Sequence, residues 1–337
     1  VDLVLNEDWL ARMEDFYTRR GRAMPSNNKK QAMLPAGSEF IDNPVGTACG
    51  FAITIDGARF FFTPGVPREM RRMIDDQVIP RLLKMSGLKV VTRLKRFHSF
   101  GVGESRADQM LDGIEKLVPD GTVKLGFQAH YPQLETKLAA QAASEEELDA
   151  LLAPIEAGVR ERLGNFIVAE DAQSLEGVVI DALVARGGTL ATGEMYTGGA
   201  IAARFVPKEG AADPFLRGVV SRELSQMHDA VGLGAKAEGA GLNAGTAMAL
   251  ASGLRTQSGA SHALAVLIEL DDGADRIEFG GTINVGIADE TGTIARTARM
   301  LGGRDWVRLG ATELAIDCLR RRLQGLPVDE RIDFEKR

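Results

Sequence analysis

The chain has 337 residues, of which 45% are hydrophobic and 26% are charged, and its formal net charge is −7. This length is enough for about two or three domains, each with its own core. The negative charge argues against nucleic acid as a partner, because a general nucleic-acid binder presents a basic face to the phosphates. No apolar run approaches the ~20 residues that span a bilayer, so no membrane partner is expected.

The cysteines and histidines offer no metal site. Only two cysteines occur, Cys49 and Cys318, and the four histidines lie singly along the chain. This pattern gives no disulfide framework and no metal-ligand spacing, and it is typical of a reducing cytoplasm, where we expect the protein. No Ser-His-Asp or Cys-His arrangement can be argued from the pattern either.

The predicted elements begin with a strand end at Val1–Leu5 and a helix over Asn6–Arg20. Because the chain starts inside an element, we expect that an N-terminal portion precedes it. Further on, the apolar runs Phe51–Ile55 and Arg59–Thr63 flank Asp56-Gly57, a dipeptide typical of a tight hairpin turn.

The second strand of this hairpin enters a Pro-Gly-x-Pro loop, after which apolar spacing predicts a helix over Glu69–Met85. A loop from a strand into a helix offers free backbone N–H groups and a positive dipole end, which suit a phosphate. Glu69 in the first helical turn either stabilises the dipole or holds a metal or a ribose hydroxyl. Asn43 and Thr47 either contact a nucleotide or only shape the turn before the hairpin.

Three domains and a tail are expected, with boundaries at 1–88, 89–172, 173–326 and 327–337. The second domain reads strand–helix–strand–strand–helix, which predicts a small α+β module. Ser144 before three glutamates is predicted to cap its long helix. Strands predicted over Thr189–Gly193, Ala263–Leu270 and Arg276–Ala288 alternate with helices in the third domain. This order predicts a layered α/β fold, and the polar tail is expected to be loose.

In the third domain, Glu194 precedes Thr197-Gly198-Gly199 at the mouth of a predicted helix. Backbone N–H groups at such a turn can cradle a phosphate. Taken alone, however, Thr-Gly-Gly favours a tight turn over a ligand site, because glycine serves sharp turns generally.

A series of short motifs carries a family resemblance. In chain order they are Asn27–Ala32, Asn43–Ala48, Pro64–Met70, Gly101–Ser105, Glu194 with Thr197–Gly199, Gly281-Thr282 and Gly303-Arg304. This set in this order resembles the CinA family (competence/damage-inducible protein A), and the resemblance covers most of the chain.

The resemblance implies an α/β multi-domain protein with three parts. These are the C-terminal half of a molybdopterin-binding-like α/β domain, a small KH-like α+β domain and a C-terminal α/β layered CinA domain. In the family the first domain hydrolyses ADP-ribose with a divalent metal. The third deamidates nicotinamide mononucleotide and releases ammonia. A cytoplasmic homodimer that binds a small nucleotide, of the ADP-ribose or nicotinamide mononucleotide type, is also implied.

The third domain departs from the family at several positions. The family's turn reads Glu-Ser-Cys-Thr-Gly-Gly with a reactive Ser, whereas Met195 and Tyr196 hold the Ser and Cys positions here. A thioether has no proton to lose and cannot act as a hydroxyl nucleophile. The family's Tyr-Ser-Asn pattern and following Lys are replaced, in ungapped alignment, by Arg222, Glu223, Leu224 and Met227.

The family's Thr-Gly-x-Ala-Gly-Pro loop is also absent, and Leu267, Ile268 and Glu269–Asp272 stand in its place. We therefore expect a third domain that is inactive in deamidation, with Glu194 as the remaining catalytic candidate and Thr197, Gly198 and Gly199 as nucleotide-binding residues.

The first domain lacks the family's Gly-Gly-x-Gly-Pro-Thr phosphate loop, which should precede Val1. The remaining half of its implied nucleotide pocket consists of Asn43, Gly46, Thr47, Gly65, Pro67 and Glu69. An intact domain is expected to have ADP-ribose pyrophosphatase activity with a divalent metal. This chain alone should lack that activity, and no metal ligand is evident in it.

Several functional hypotheses stay open. The chain is an enzyme of pyridine-nucleotide salvage, or it is a non-catalytic dimeric nucleotide-binding scaffold. A third, weaker hypothesis is RNA binding by the KH-like module, which the acidic charge and the absence of a basic Gly-x-x-Gly loop disfavour. An active amidohydrolase that uses a different nucleophile is the remaining alternative, and the sequence cannot place Tyr196, Arg222, Glu223 or Asp271 in such a site.

Overall fold

The structure is a computed structural model that describes residues 2–87, 91–205, 213–234, 241–273 and 275–336. The chain divides into two compact units, Val1–Val90 and Val91–Arg337. Val1 and the predicted domain boundary at 88–89 lie outside the described residues. Both units mix helices and strands, which confirms the predicted α/β multi-domain class. In the described parts of the chain, no helix is long and apolar enough to cross a membrane.

The first unit consists of short strands and helices. Its elements are β1 (Leu3–Leu5), α1 (Glu7–Thr18), a 3-10 helix (Ser26–Ala32), β2 (Met33–Pro35), β3 (Glu39–Ile41), β4 (Gly50–Ile55), β5 (Ala58–Phe62), α2 (Pro67–Met73), a π-helical turn (Ile74–Val78) and α3 (Ile79–Ser86). Strand β1 pairs with β2, and β3, β4 and β5 form an antiparallel sheet in that order. Trp9 and Met13 of α1 are buried in one small core. Ile41 and Met73 are buried in another.

The predicted hairpin of the first unit is confirmed. Its turn residues Asp56 and Gly57 have φ angles of 48° and 83°, the region of the tight type I′ turn. The predicted single helix over Glu69–Met85 instead begins at Pro67 and passes through the π-helical turn. Pro80 follows that turn, and its missing N–H interrupts the regular α-helical hydrogen bonds.

The second unit opens with an antiparallel α+β segment. Its elements are β6 (Val91–Phe100), α4 (Glu104–Met110), a 3-10 helix (Ile114–Leu117), β7 (Val123–His130), β8 (Gln133–Ala142), α5 (Glu145–Leu163) and β9 (Ile167–Glu170). The strand order is β7-β8-β6-β9, with every neighbouring pair antiparallel. Ser144 caps α5 as predicted, since its hydroxyl accepts from the Glu147 N–H at 3.2 Å. The four-residue strand β9 was not predicted, because so short a run carries no clear period.

The remainder of the second unit contains the largest sheet. Its elements are α6 (Leu175–Val184), β10 (Leu190–Met195), α7 (Ala200–Arg204), β11 (Phe215–Ser221), α8 (Leu224–Ala230), α9 (Ala244–Ser258), β12 (His262–Leu270), β13 (Gly280–Asp289), β14 (Gly292–Leu301) and α10 (Arg304–Gln324). The strand order is β11-β10-β12-β13-β14. Strand β10 runs parallel to β11 and β12, and the other pairs are antiparallel. The strand predicted over Arg276–Ala288 begins only at Gly280, because a turn closed by Phe279 N–H and Arg276 O precedes it.

Helices cover both faces of this sheet. Along β12, Ala263, Ala265 and Leu267 pack in a cluster with α9. Leu264 and Val266, on the alternate face, pack in the cluster that includes α6 and α10. A strand covered on both faces reads as a continuous apolar run, which explains the sequence of β12.

The expectation of a loose tail is wrong for the tail residues that the structure describes, 327–336. Val328 and Ile332 are only 5% and 2% exposed. The Asp333 carboxylate accepts from Gly103 N at 2.9 Å and from Arg106 at 2.6 Å. The polar composition gave the wrong prediction for the tail, because two apolar residues four positions apart are enough to anchor a short segment on a core.

Candidate functional site

A cavity of about 640 Å³ lies where β10, β11 and β12 end. From β10 the chain crosses to β11 on one side, while β12 lies on the other side. In α/β sheets of this kind, ligands bind outside the carboxyl ends of the strands at such a reversal point. The residues that line the cavity are Met195, Tyr196, Gly198, Val220, Ser221, Arg222, Leu242, Ile268, Glu269 and Leu270.

Met195 is the last residue of β10 and stands opposite Ser221 of β11 in the sheet register. The sequence placed it in a turn, but the strand extends two residues further than predicted and includes Glu194 and Met195. The Met195 side chain is 6% exposed and lines the cavity. The wall therefore carries a thioether at the position where the family resemblance implies a reactive hydroxyl.

Glu194 is fully buried and anchors the turn after β10. Its carboxylate accepts from Thr197 Oγ1 at 2.5 Å, from Ile201 N at 3.1 Å and from Ala202 N at 2.8 Å. It is not among the cavity-lining residues. The geometry thus gives Glu194 a structural role, and it does not support the predicted catalytic one.

Replacing Glu194 by Gln is expected to lower the free energy of unfolding by about 1–3 kcal/mol, because an amide NH₂ would face buried donors. Urea unfolding measures this loss. Glu290→Gln is the matched control, since the Glu290 side chain is exposed and makes no hydrogen bond or ion pair within the described residues. Equal stability of the two variants would contradict the anchoring role.

The turn that follows has an unusual backbone. Gly198 and Gly199 have φ angles of 71° and 86°, and Tyr196 has φ 76°. Glycine adopts this left-handed region freely, but a bulky residue there is strained by of order 1–3 kcal/mol. Of the predicted nucleotide-binding residues of this turn, Gly198 lines the cavity, whereas Thr197 is 1% exposed and bonded to Glu194.

Two charged side chains complete the cavity. Arg222 follows β11 directly and Glu269 lies near the end of β12, and both are exposed. Neither has a hydrogen bond or ion pair to any residue that the structure describes. The sequence indicated Arg222 only as a departure from the family, and it gave no reason to assign Glu269 a role.

Asp271 and Glu223, the other groups that the sequence could not place, do not line the cavity. Asp271 pairs with Arg299 at 2.7 Å, and this bond holds the pKa of the Asp271 carboxyl below its ordinary value. Glu223 is the residue before α8, and its N–H donates to Ser221 Oγ at 3.2 Å.

In the first unit, Asn43 shapes the loop before β4. It is 2% exposed, and its Oδ1 accepts from Val45 N and Gly46 N, both at 3.1 Å. Its Nδ2 donates to Ala48 O at 2.7 Å and to the Glu69 carboxylate at 2.8 Å. All of these bonds are internal, so the structure places Asn43 in the turn-shaping role that the sequence left as one of two alternatives.

The other predicted nucleotide-binding residues of this unit line one of two adjoining cavities or lie outside both. Gly46 and Thr47 line a cavity of about 80 Å³ beside Trp9, whose indole N–H donates to Thr47 O at 3.0 Å. Pro67 lines a cleft of about 660 Å³ that adjoins this cavity at Pro44 and Val45. Gly65 lies in neither of them.

Glu69, the carboxylate of this predicted set, is bonded to Asn43. A side chain at Gly46 would overlap the Glu69 carboxylate. Among the residues that the structure describes, no three His, Cys, Asp or Glu side chains come together as metal ligands. The described residues therefore supply no complete set of ligands for the divalent metal that the resemblance implies, and no step is assigned to one.

Comparison with known proteins matches two parts of the second unit to described families. The family described as "CinA C-terminal domain" matches residues 172–323, and that described as "Damage-inducible protein CinA KH domain" matches residues 94–169. A "CinA-like protein" of Shewanella sediminis is 35% identical over 329 residues, 96% of this chain and 76% of the relative. One of Geobacter sulfurreducens is 37% identical over 324 residues, 95% of this chain and 78% of the relative.

Solved structures are similar over part of the chain. The competence/damage inducible protein CihA from Agrobacterium tumefaciens is 24% identical, with a TM-score of 0.38, over 43% of this chain and 91% of that one. A CinA superfamily protein from Enterobacter cloacae is 20% identical, with a TM-score of 0.39, over 46% of this chain and 95% of that one. The relatives at 35–37% identity match this chain along nearly its whole length. The chain therefore belongs to the CinA-like protein family.

Proposed function

We propose that the C-terminal cavity binds a small pyridine nucleotide, of the nicotinamide mononucleotide type, without deamidating it. The observation that carries this proposal is Met195 on the cavity wall. A volume of about 640 Å³ suits a ligand of nucleotide size. Family membership supports the choice of ligand class.

Deamidation through a covalent intermediate needs a nucleophile with a base within hydrogen-bond reach. The hydroxyls on the cavity wall belong to Tyr196 and Ser221. Ser221 Oγ bonds to Glu223 O at 3.0 Å and to Gln226 Oε1 at 3.1 Å, so it is engaged in the turn that leads into α8. No described histidine, lysine or carboxylate bonds to either hydroxyl, which leaves both without an activating base.

Ammonia release from nicotinamide mononucleotide tests the proposal. We expect none from the natural sequence or from Met195→Ala, because neither has a hydroxyl at this position. A gain in Met195→Ser alone would locate the missing nucleophile at residue 195. Any release by the natural sequence would contradict the proposal, and release that Met195→Ala leaves unchanged would show that the chemistry does not use residue 195.

Met227 is left unchanged in these variants, because its side chain is buried. The family has a Lys near this position, but Met227 is 1% exposed and does not line the cavity. A lysine there would bury an ammonium group at a large desolvation cost. Restoring that Lys would therefore test folding rather than catalysis.

A second function is proposed for the first unit, namely phosphate binding that supports ADP-ribose hydrolysis when the domain is intact. The favouring observation is the cleft of about 660 Å³ beside Pro67, which Arg68, Arg71 and Arg72 line. Arg68 and Arg71 have no partner within the described residues, so their guanidinium groups are available to a phosphate. Metal-dependent AMP release from ADP-ribose by a chain with the complete domain tests it, and no release with any divalent metal would count against it.

A further inference from the structure

We propose that Tyr196, Arg222 and Glu269 form a ligand-recognition set within the C-terminal cavity. The set selects a planar heteroaromatic compound that carries one carboxylate or phosphate and, at its other end, a cationic or hydrogen-bond-donating group. This inference rests on the proposed function, because it concerns the same cavity. It adds which residues discriminate between ligands and by what chemistry.

Tyr196 supplies the aromatic surface. Tyr196 lines the cavity with its backbone held at φ 76°, and its half-buried side chain also packs against the neighbouring core. The turn is fixed in this conformation by the three bonds to Glu194, which over-determine the backbone around the strained residue. Strain of this kind at a bulky residue is found at ligand sites, and glycine would have removed it. The retained side chain is therefore assigned to stacking on a flat ligand.

Arg222 supplies the anion contact. It is exposed on the cavity wall at the end of β11 and makes no ion pair within the described residues, even with its neighbour Glu223. A guanidinium group offers parallel N–H donors that match a carboxylate or a phosphate. The cavity wall around it is mainly apolar, so Arg222 offers this anion contact beside an apolar surface.

Glu269 supplies the opposite charge on the other side of the cavity. Strands β11 and β12 flank β10 and lie about 10 Å apart, and Arg222 directly follows β11 whereas Glu269 belongs to β12. Met195, Leu242 and Ile268 provide apolar surface in the same cavity. This layout matches a ligand with a flat apolar body, an anion at one end and a cation or N–H donor at the other.

Calorimetric titration of the full chain tests the set with four probes: nicotinamide mononucleotide, nicotinamide riboside, ribose 5-phosphate and AMP. In Arg222→Gln we expect nicotinamide mononucleotide to bind about 10- to 100-fold more weakly, because a charge-assisted bond is lost. The riboside, which lacks the phosphate, should bind the variant and the natural chain equally. Glu269→Gln should weaken the mononucleotide and the riboside alike.

The aromatic contact has its own pair of variants. Tyr196→Phe keeps the ring and should bind nicotinamide mononucleotide as the natural chain does, whereas Tyr196→Ala should bind it several-fold more weakly. Melting curves recorded alongside establish that each variant is folded. Arg276→Gln is the matched control for charge, since Arg276 is exposed and lies outside the cavity.

The outcomes separate the recognition set from the proposed function. Equal binding of nicotinamide mononucleotide by the natural chain, Arg222→Gln and Tyr196→Ala would overturn the set and leave the proposed function standing. Binding of AMP alone, lost in Arg222→Gln, would support the set and remove the pyridine nucleotide as ligand. Loss of mononucleotide binding in Arg276→Gln to the same extent as in Arg222→Gln would also overturn the set.

Discussion

Replacing Asp317 by Asn is expected to lower the free energy of unfolding by about 3–5 kcal/mol. Asp317 lies in α10 with a fully buried carboxylate, and it pairs with Arg320 and with Arg321, both at 2.7 Å. The two arginine side chains are themselves 3% and 0% exposed. Without the carboxylate, the two arginine side chains would stay buried without their nearest negative charge. Removing one partner of a buried ion pair in this way is strongly destabilising.

The control for this prediction lies on the same helix. Asp305 pairs with Arg308 at 3.4 Å, but its side chain is 85% exposed. Asp305→Asn should therefore change stability by about 0–1 kcal/mol, since water screens an exposed pair. Urea unfolding of the two variants beside the natural chain measures the difference. Equal losses in the free energy of unfolding would show that the buried ion pairs stabilise the protein no more than the exposed pair does.

Gly286→Ala is expected to lower the free energy of unfolding by about 3 kcal/mol. Gly286 lies in β13 against α9, where an added Cβ would overlap the Ala247 carbonyl and lie 2.8 Å from Met248 N. These are backbone atoms, so no rotamer change can relieve the overlap, and the helix must move away from the sheet.

Gly126→Ala in β7 provides the contrast, because nothing lies within 4 Å of its added Cβ. Alanine there should be neutral or slightly stabilising, since it restricts the unfolded chain more than glycine does. Thermal melts of both variants measure the difference. A Gly286→Ala melt that superimposes on that of Gly126→Ala would show that α9 is not packed on β13 as described.

Features with local causes were predictable from the sequence. The hairpin followed from Asp56-Gly57, and the start of α5 followed from Ser144, because turn and cap chemistry act within a few residues. Strand β14 was not predicted, because it is stabilised by a contact that is distant in the chain. Its buried Arg296 pairs with Glu335 of the tail, and a partner 39 residues away leaves no local pattern.

The site divides in the same way. The missing hydroxyl at Met195 could be predicted, because a motif position identifies it. The structural role of Glu194 could not, since it depends on N–H donors of Ile201 and Ala202 folding back onto the carboxylate. Arg222 and Glu269 line one cavity only because β11 and β12 flank β10. No single segment of the sequence specifies this strand order.

The central claim is that the C-terminal cavity binds a pyridine nucleotide and leaves its amide intact. Ligand-observed NMR of nicotinamide mononucleotide with the natural chain reports binding and conversion in one sample. We predict saturation transfer to the pyridine ring protons, reduced in Arg222→Gln, with no nicotinate mononucleotide signal appearing over hours. Product signals from the natural chain, or the absence of any saturation transfer, would contradict the claim.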